Sequence, residues 1–161
     1  QTWALGDVNS SLIRTVNGKT IFIKHDCSSP RPYSRINMLQ GTRGIFQGYP
    51  DRVYIEGRSE GHSWDDAENY YEEFEHPLWR RLREDSSGAG HGGMDFVEDW
   101  RLIPCLHEGI PYDIDVYDSV AWSAVSEISE RSVAAGSAPV SFPDFTRGRW
   151  KQYPPLGIVG G

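Results

Sequence analysis

The sequence has no apolar stretch long enough to cross a bilayer as a helix, which excludes a helical membrane span. It also has no excess of positive charge, since 16 Lys and Arg stand against 23 Asp and Glu and the formal net charge is -7. The phosphate backbone of a nucleic acid selects a basic protein surface, so we do not expect nucleic acid as a partner.

Cysteine is scarce, with only Cys27 and Cys105, and the two form no C-x-x-C pair. We expect two buried thiols. The first residues contain neither an initiator Met nor a secretion signal, and we expect further sequence upstream of them in the intact protein.

Aromatic residues, in contrast, are abundant at 12%, with six Trp and eight Tyr. Packing in a core and on a sheet accounts for such a content, and stacking against a ring-shaped ligand such as a sugar is the alternative. Composition alone favours packing.

The first third of the chain has the pattern of short strands. Residues 11–16 and 19–26 are β-rich and flank Asn17-Gly18, which predicts a hairpin because both turn residues tolerate positive φ. Three further short runs follow, at residues 36–41, 44–50 and 52–57. Five strands with short connections predict a mostly antiparallel sheet.

The rest of the chain has helical spacing of apolar residues. Ser63 is the predicted N-cap of a first helix, and Pro77 is expected to end it and to begin a second. A third helix is predicted over residues 94–109, with Pro104 expected to kink or shorten it. A fourth spans about 117–135, and its expected buried stripe consists of Val120, Ala121, Ala124, Val125 and Ile128.

These elements predict one α+β domain over residues 1–161, a mostly antiparallel open β-sheet with helices packed on one face. No repeat or linker divides the chain. The tail from residue 141 onward is expected to be an extended segment on the surface.

The stretch "SSGAGHGGMDF" contains a G-x-G-x-x-G at Gly88, Gly90 and Gly93, the spacing of a dinucleotide-binding turn. Such a turn needs a strand before the first glycine and a second strand after the helix, and neither is predicted here. We therefore interpret the glycines as a flexible helix entry and assign no cofactor contact to this chain. His91 and Asp95, four residues apart, face either a ligand or a metal, and an incidental loop histidine is the alternative.

The acidic stretch "DIDVYD" resembles a calcium loop only in part, because the glycine at its sixth position and the glutamate at its twelfth are missing. Its acids Asp113, Asp115 and Asp118 are expected to cap the last helix, and we predict no metal site. A serine nucleophile elbow, a Cys-His pair and a P-loop are absent as sequence motifs.

The stretch "PRPYSR" at residues 30–35 is a candidate ligand-binding loop. Two prolines stiffen it, which limits the entropy lost when Tyr33 is held in place. Tyr33 offers an aromatic face and a hydroxyl, and Arg31 and Arg35 offer forked donors, a set that suits a hydroxyl-rich ligand. A bulged connection between strands is the structural alternative.

Several motifs in order along the chain resemble one known family. "LGDVNSSLIRTVNGKTIFIKHDCSSPRPYSRINMLQGTRG", "EHP", "GHGGMDFVEDWRLI", "DVYD" and "PDFTRGRWK" together resemble the C-terminal part of glycoside hydrolase family 109. The resemblance implies a bacterial NAD-dependent α-N-acetylgalactosaminidase-like enzyme with the Gfo/Idh/MocA oxidoreductase fold. It further implies that this chain is the C-terminal substrate-binding and oligomerisation domain, and that an N-terminal Rossmann domain binding NAD is absent from it.

For such an enzyme the resemblance implies transient oxidation at the sugar C3, elimination, addition of water and re-reduction, unlike hydrolysis by two carboxylates. The catalytic residues are then expected in the missing half, and the fragment alone is expected to be inactive. Tyr33 is the expected substrate contact, followed by His91, Arg31 and Arg35. A sugar oxidoreductase with net hydride transfer to NAD(P) and a non-catalytic carbohydrate-binding module are the alternatives, and a homo-oligomer through the sheet is expected.

Overall fold

The computed structural model describes residues 6–159, and within them the chain is α+β with antiparallel sheets, as predicted. Its strands and helices are β1 (Val8–Arg14), β2 (Thr20–Asp26), β3 (Met38–Gln40), β4 (Gly44–Gln47), β5 (Arg52–Ile55), β6 (Asp65–Asp66), α1 (Glu68–Phe74), α2 (Pro77–Leu82), α3 (Met94–Glu108) and α4 (Val116–Ala134). Short 3₁₀ turns at Gly90–Gly93 and Arg149–Gln152 complete the order.

The predicted hairpin is confirmed, with a loop one residue longer than expected. β1 and β2 pair antiparallel, and the backbone N–H of Thr15 donates to the carbonyl of Lys19 at 2.9 Å. Three residues therefore form the loop, and Gly18 has φ +74 while Asn17 is not among the residues with positive φ. A three-residue loop needs only one left-handed position, which the glycine supplies.

The remaining four strands form a second sheet in the order β3-β4-β5-β6, so the strands are divided between two sheets. The N-terminus predicted for the first helix is wrong, because Asp65 and Asp66 form β6 beside β5 and Ser63 is not a cap. The Asp65 carboxylate accepts hydrogen bonds from the hydroxyls of Ser59 at 2.6 Å and Tyr70 at 2.7 Å. These bonds hold Asp65 beside the sheet.

The division between the first two helices occurs where predicted. α1 ends at Phe74 and α2 begins with Pro77 at its first position, where the missing N–H costs nothing. His76 is the N-cap, and its Nδ1 accepts the N–H of Leu78 at 3.2 Å.

The third helix is not shortened by Pro104, since α3 continues to Glu108 and ends at Gly109 with φ +68. The sequence therefore located its end correctly from the glycine. A kink, the other expected effect of Pro104, stays a prediction.

The fourth helix has the predicted cap but not the predicted burial. The Asp115 carboxylate accepts the N–H groups of Tyr117 and Asp118, and the Asp118 side chain accepts the N–H of Asp115, a complete capping box. The expected stripe is partly exposed, with Val120 at 38%. The physical reason is that α4 meets β1 across a groove, where Ser11 and Ser129 share a hydrogen bond of 2.6 Å.

The segment after α4 has little regular structure beyond its 3₁₀ turn. The Asp144 carboxylate accepts N–H groups from Thr146 at 2.9 Å and Gly148 at 2.7 Å, which folds the "PDFTRGRWK" stretch into a tight turn. The guanidinium of Arg149 stacks on Tyr117 at 4.8 Å and donates to its hydroxyl, so the turn is tied to the start of α4.

The fully buried part of this chain is small. Among residues 6–159 the buried apolar side chains are Ala67, Leu78, Leu82 and Cys105. The expectation of two buried thiols is wrong for Cys27, which is exposed at the end of β2. Its strand is exposed along almost its whole length, so no described residue covers it. Within the same residues no helix combines the length and the apolar character needed to cross a membrane.

Candidate functional site

The sheet register brings the "PRPYSR" loop to one end of the second sheet. β3 pairs antiparallel with β4 so that Met38 lies opposite Gln47, and the N–H of Gly48 donates to the carbonyl of Asn37 at 2.8 Å. The segment that leads into β3 therefore lies beside the turn that leaves β4. Residues distant in the sequence, at 33 and 49, become neighbours by this pairing.

Two tyrosines and an arginine form a cluster at this end of the sheet. The Nε of Arg35 donates to the hydroxyl oxygen of Tyr33 at 2.7 Å. The rings of Tyr33 and Tyr49 lie with centroids 5.8 Å apart and planes at 80°, an edge-to-face contact. Tyr33 is 74% exposed, so one aromatic face and its hydroxyl are open to a ligand. We call these three residues the tyrosine corner.

The Tyr33 hydroxyl and the Arg35 guanidinium shift one another's pKa. The pKa of Tyr33 is lowered, first by the hydrogen bond from Arg35 and also by the positive charge of Arg35 and by the Tyr49 side chain. The pKa of Arg35 is raised in return by its bond to Tyr33. The phenol is therefore a better hydrogen-bond donor than an isolated tyrosine.

Two non-glycine residues with positive φ lie at the corner, Ile36 next to Arg35 and Tyr49 as one of its members. Ile36 has φ +46 and Tyr49 has φ +67. For a β-branched residue such as isoleucine this is a strained conformation, with a cost of order 1–3 kcal/mol. Strain of this kind concentrates at ligand sites, and here it involves the residue after Arg35 and the tyrosine that contacts Tyr33.

Arg31 is exposed and lies in the same loop as the tyrosine corner. Among residues 6–159 no hydrogen bond or ion pair engages its side chain. Its guanidinium is therefore open to a ligand, whereas the Nε of Arg35 is bonded to Tyr33.

The glycine-rich stretch has a geometry that does not fit a dinucleotide turn. Helix α2 precedes it, and no strand stands on either side. A Cβ on Gly93, which has φ +96, would lie 2.8 Å from the Ser86 hydroxyl oxygen, and a Cβ on Gly90 would collide with the Asp95 carboxylate. Gly93 therefore lets the backbone that enters α3 pass close to Ser86, in the turn after α2, and the stretch lacks the flanking strands that a dinucleotide turn for NAD requires.

His91 lies in the 3₁₀ turn that precedes α3, and its side chain bonds to Asp95, four residues further along the chain. Its Nδ1 is 2.9 Å from one carboxylate oxygen of Asp95 and 3.0 Å from the other. The His91 imidazole is exposed. The backbone at His91 has φ +52, which is a left-handed conformation. With Nδ1 occupied, Nε2 is the ring atom that faces outward. In the part of the chain that is described, no hydrogen bond or ring contact links His91 to the tyrosine corner.

The acidic stretch acts as a helix cap in this structure, as predicted, and Asp113 is held separately by Arg101 at 2.8 Å. Across residues 6–159 no group of three or more His, Cys, Asp and Glu side chains is placed to hold a metal ion.

Larger cavities lie elsewhere in the part of the chain that the structure describes. One of about 580 Å³ is bounded by the second sheet and α1, with Phe46, Tyr70 and Phe74 in its wall. The other, of about 650 Å³, is the groove between β1 and α4. None of the four residues predicted to bind substrate lines either cavity. The candidate site is therefore an open corner, of the kind that becomes enclosed when another part of a protein lies against it.

Sequence reasoning missed Tyr49. The available signal was its place in "GYP", a turn between two strand runs, next to a third run that antiparallel pairing returns to the same end of the sheet. An antiparallel pairing of β3 with β4, predicted from the sequence, would have placed positions 33 and 49 close to each other.

Known proteins are similar to this chain over almost its whole length. A family model described as "Glycosyl hydrolase 109, C-terminal domain" matches residues 1–152. Relatives with the name "Glycosyl hydrolase family 109 protein" include proteins of Shewanella amazonensis, 54% identical over 158 residues, Shewanella putrefaciens, 52% over 160, and Shewanella baltica, 51% over 160. Each match covers 96% of this chain and 35% of the relative, so the chain spans about a third of the length of these relatives.

Proposed function

Because this chain belongs to glycosyl hydrolase family 109, we propose that it is the carbohydrate-binding C-terminal part of a bacterial NAD-dependent glycosidase. The observation that carries the proposal is the tyrosine corner. An exposed phenol with a second aromatic ring at right angles and a guanidinium beside it suits a ligand rich in hydroxyl groups and flat C–H faces.

The proposed substrate is an α-N-acetylgalactosaminide. Tyr33 would bind it through its hydroxyl and its ring, and Arg31 is free to donate to further hydroxyl groups. His91 would present Nε2 to the same ligand, because Asp95 fixes the other ring nitrogen. Arg35 supports the site through Tyr33.

NAD is proposed to bind to the remainder of the full-length protein, and when bound it supplies the redox chemistry. The lack of fit at Gly88–Gly93 supports this division, since helices and not strands flank this stretch. The residues of this chain then have the task of holding and orienting the sugar. The 161-residue chain alone is expected to be inactive.

Exposed apolar side chains support a further proposal, that the chain is covered in the assembled protein and contributes to a homo-oligomer. Phe22 on β2 is 66% exposed and Leu39 on β3 is 75% exposed. Apolar surface of this extent is typical of regions that contact other protein.

The test is hydrolysis by the full-length protein. An aryl α-N-acetylgalactosaminide should release its aryl group while NADH does not accumulate, because the cofactor is reduced and then re-oxidised within one turnover. Release of NADH in proportion to product would overturn the glycosidase proposal in favour of a sugar oxidoreductase. Binding of the sugar without any turnover would favour a carbohydrate-binding module.

A further inference from the structure

The hydrogen bond between Arg35 and Tyr33 determines which way the phenolic proton can point. A guanidinium carries only donors and stays protonated at all accessible pH, so at 2.7 Å its Nε–H must be the donor and the Tyr33 oxygen the acceptor. The proton of Tyr33 cannot point along the same line. It is directed elsewhere, away from Arg35.

The other neighbour of Tyr33 leaves that outward direction open. Tyr49 meets the Tyr33 ring edge-to-face at 5.8 Å. Among residues 6–159 no protein acceptor for the Tyr33 hydroxyl proton is found, and the side chain is 74% exposed. The proton is therefore available to an acceptor outside this chain.

From this geometry we infer that Arg35 is a positioning residue, which holds the Tyr33 hydroxyl so that its proton points to a carbonyl or hydroxyl oxygen of the ligand, and that Tyr49 forms the second wall of the subsite. The inference rests on the proposed function for the identity of the ligand as a carbohydrate. It assigns Arg35 an effect on the ligand that passes through Tyr33, and it adds Tyr49 to the site.

The first test measures the ionisation of Tyr33 itself and needs no substrate. The full-length protein is labelled with ¹³Cζ-tyrosine, and the Tyr33 resonance is identified by its loss in Tyr33→Phe. The charged and titratable groups that act on Tyr33 are Arg35 and Tyr49. Because the bond from Arg35 lowers the pKa of Tyr33, ionisation should begin at lower pH in the wild type than in Arg35→Gln.

Two further variants keep this test specific. Arg35→Lys retains a charged donor and should preserve part of the effect, whereas Arg43→Gln removes an exposed arginine elsewhere, at the β3–β4 turn, and should leave the Tyr33 titration unchanged. If Tyr33 titrates identically in the wild type and in Arg35→Gln, the inference is overturned whatever the activity of the enzyme.

The second test is a double-mutant cycle on kcat/KM for the aryl glycoside. Tyr33→Phe should lower kcat/KM about 10-fold and Arg35→Gln about 5-fold, as expected for one lost hydrogen bond and for its misplacement. The double variant should resemble Tyr33→Phe alone, because Arg35 acts through the hydroxyl. Fully multiplicative losses would overturn the positioning role.

The two tests separate this inference from the proposed function. A pH shift of Tyr33 in Arg35→Gln, in a protein that does not act on glycosides, would support the donor role and overturn the function. Glycoside hydrolysis with no effect of Arg35 on Tyr33 would do the reverse. Tyr49→Ala should weaken glycoside binding while leaving the Arg35–Tyr33 bond intact, and unchanged binding would remove Tyr49 from the subsite.

Discussion

Two exposed segments of the chain can be compared, the glycine-rich residues 88–93 before α3 and the proline-containing residues 30–35 before β3. Their backbones are held in different ways. In the first, Gly90 and Gly93 let the backbone pass close to the Asp95 carboxylate and the Ser86 hydroxyl. In the second, prolines and strained residues hold an exposed Tyr33 outward. A sequence motif therefore indicates a binding function only when its side chains or N–H groups remain free to contact a ligand.

The largest effect that would test this comparison is on stability at Gly93. Gly93→Ala should destabilise the protein by about 2–3 kcal/mol, because φ is +96 and the new methyl group meets a Ser86 hydroxyl that is itself buried. Gly92→Ala is the matched control, with φ +70 but open space around it, and should cost about 1 kcal/mol. Urea unfolding of the full-length protein measures both, and equal losses would contradict the packing role of Gly93.

The next effect concerns activity at Tyr33. Tyr33→Phe in the full-length enzyme should reduce kcat/KM by about 10-fold through loss of a single hydrogen bond to the ligand, with the melting temperature unchanged. Tyr153→Phe, another exposed tyrosine in the tail, is the control and should match the wild type. A Tyr33→Phe enzyme with full activity would place the ligand elsewhere.

A smaller effect is expected at His91, where the two segments would act on one ligand. His91→Ala should lower kcat/KM about threefold, less than Tyr33→Phe, because the exposed imidazole offers a weaker, solvent-screened contact. His62→Ala, an exposed histidine outside both segments, should have no effect. If His91→Ala exceeded Tyr33→Phe in its effect, the glycine-rich segment would be the principal ligand contact and the comparison would be reversed.

The smallest effect appears only in acid and concerns contacts outside both segments. The pKa of Asp65 is lowered by the hydrogen bonds from Ser59 and Tyr70. A carboxyl with a lowered folded pKa stabilises the protein above its ordinary value of 3.8, and that stability is lost as the pH falls through the folded pKa. Melting temperature should therefore depend less on pH below about 4 in Asp65→Asn than in the wild type. Identical acid profiles would show that Asp65 does not contribute.

Local signals in the sequence were sufficient for most of the helices and strands. Pro77 marks the start of α2, Gly109 the end of α3 and Asp115 the start of α4, because each acts through the backbone within a few residues. The hairpin was predictable for the same reason. Asp65 was not, since its bonds to Ser59 and Tyr70 override the local preference for a helix start.

The candidate site was predictable in part. Tyr33 and Arg35 stand two residues apart, so their contact follows from local chemistry, and His91 and Asp95 likewise meet across four residues. Tyr49 could not be found in this way, because it reaches Tyr33 only through the pairing of β3 with β4. The exposed state of Cys27 also escaped prediction, since exposure depends on which other segments cover β2.

The sequence by itself determined the family, the hairpin and the cap of α4 at Asp115, because motifs, capping residues and turn residues act over short distances. Only the tertiary structure decided that Gly93 passes close to Ser86, and that Tyr33, Arg35 and Tyr49 form one corner. Strand register and helix packing bring distant residues together, and neither is encoded in any single stretch of the chain.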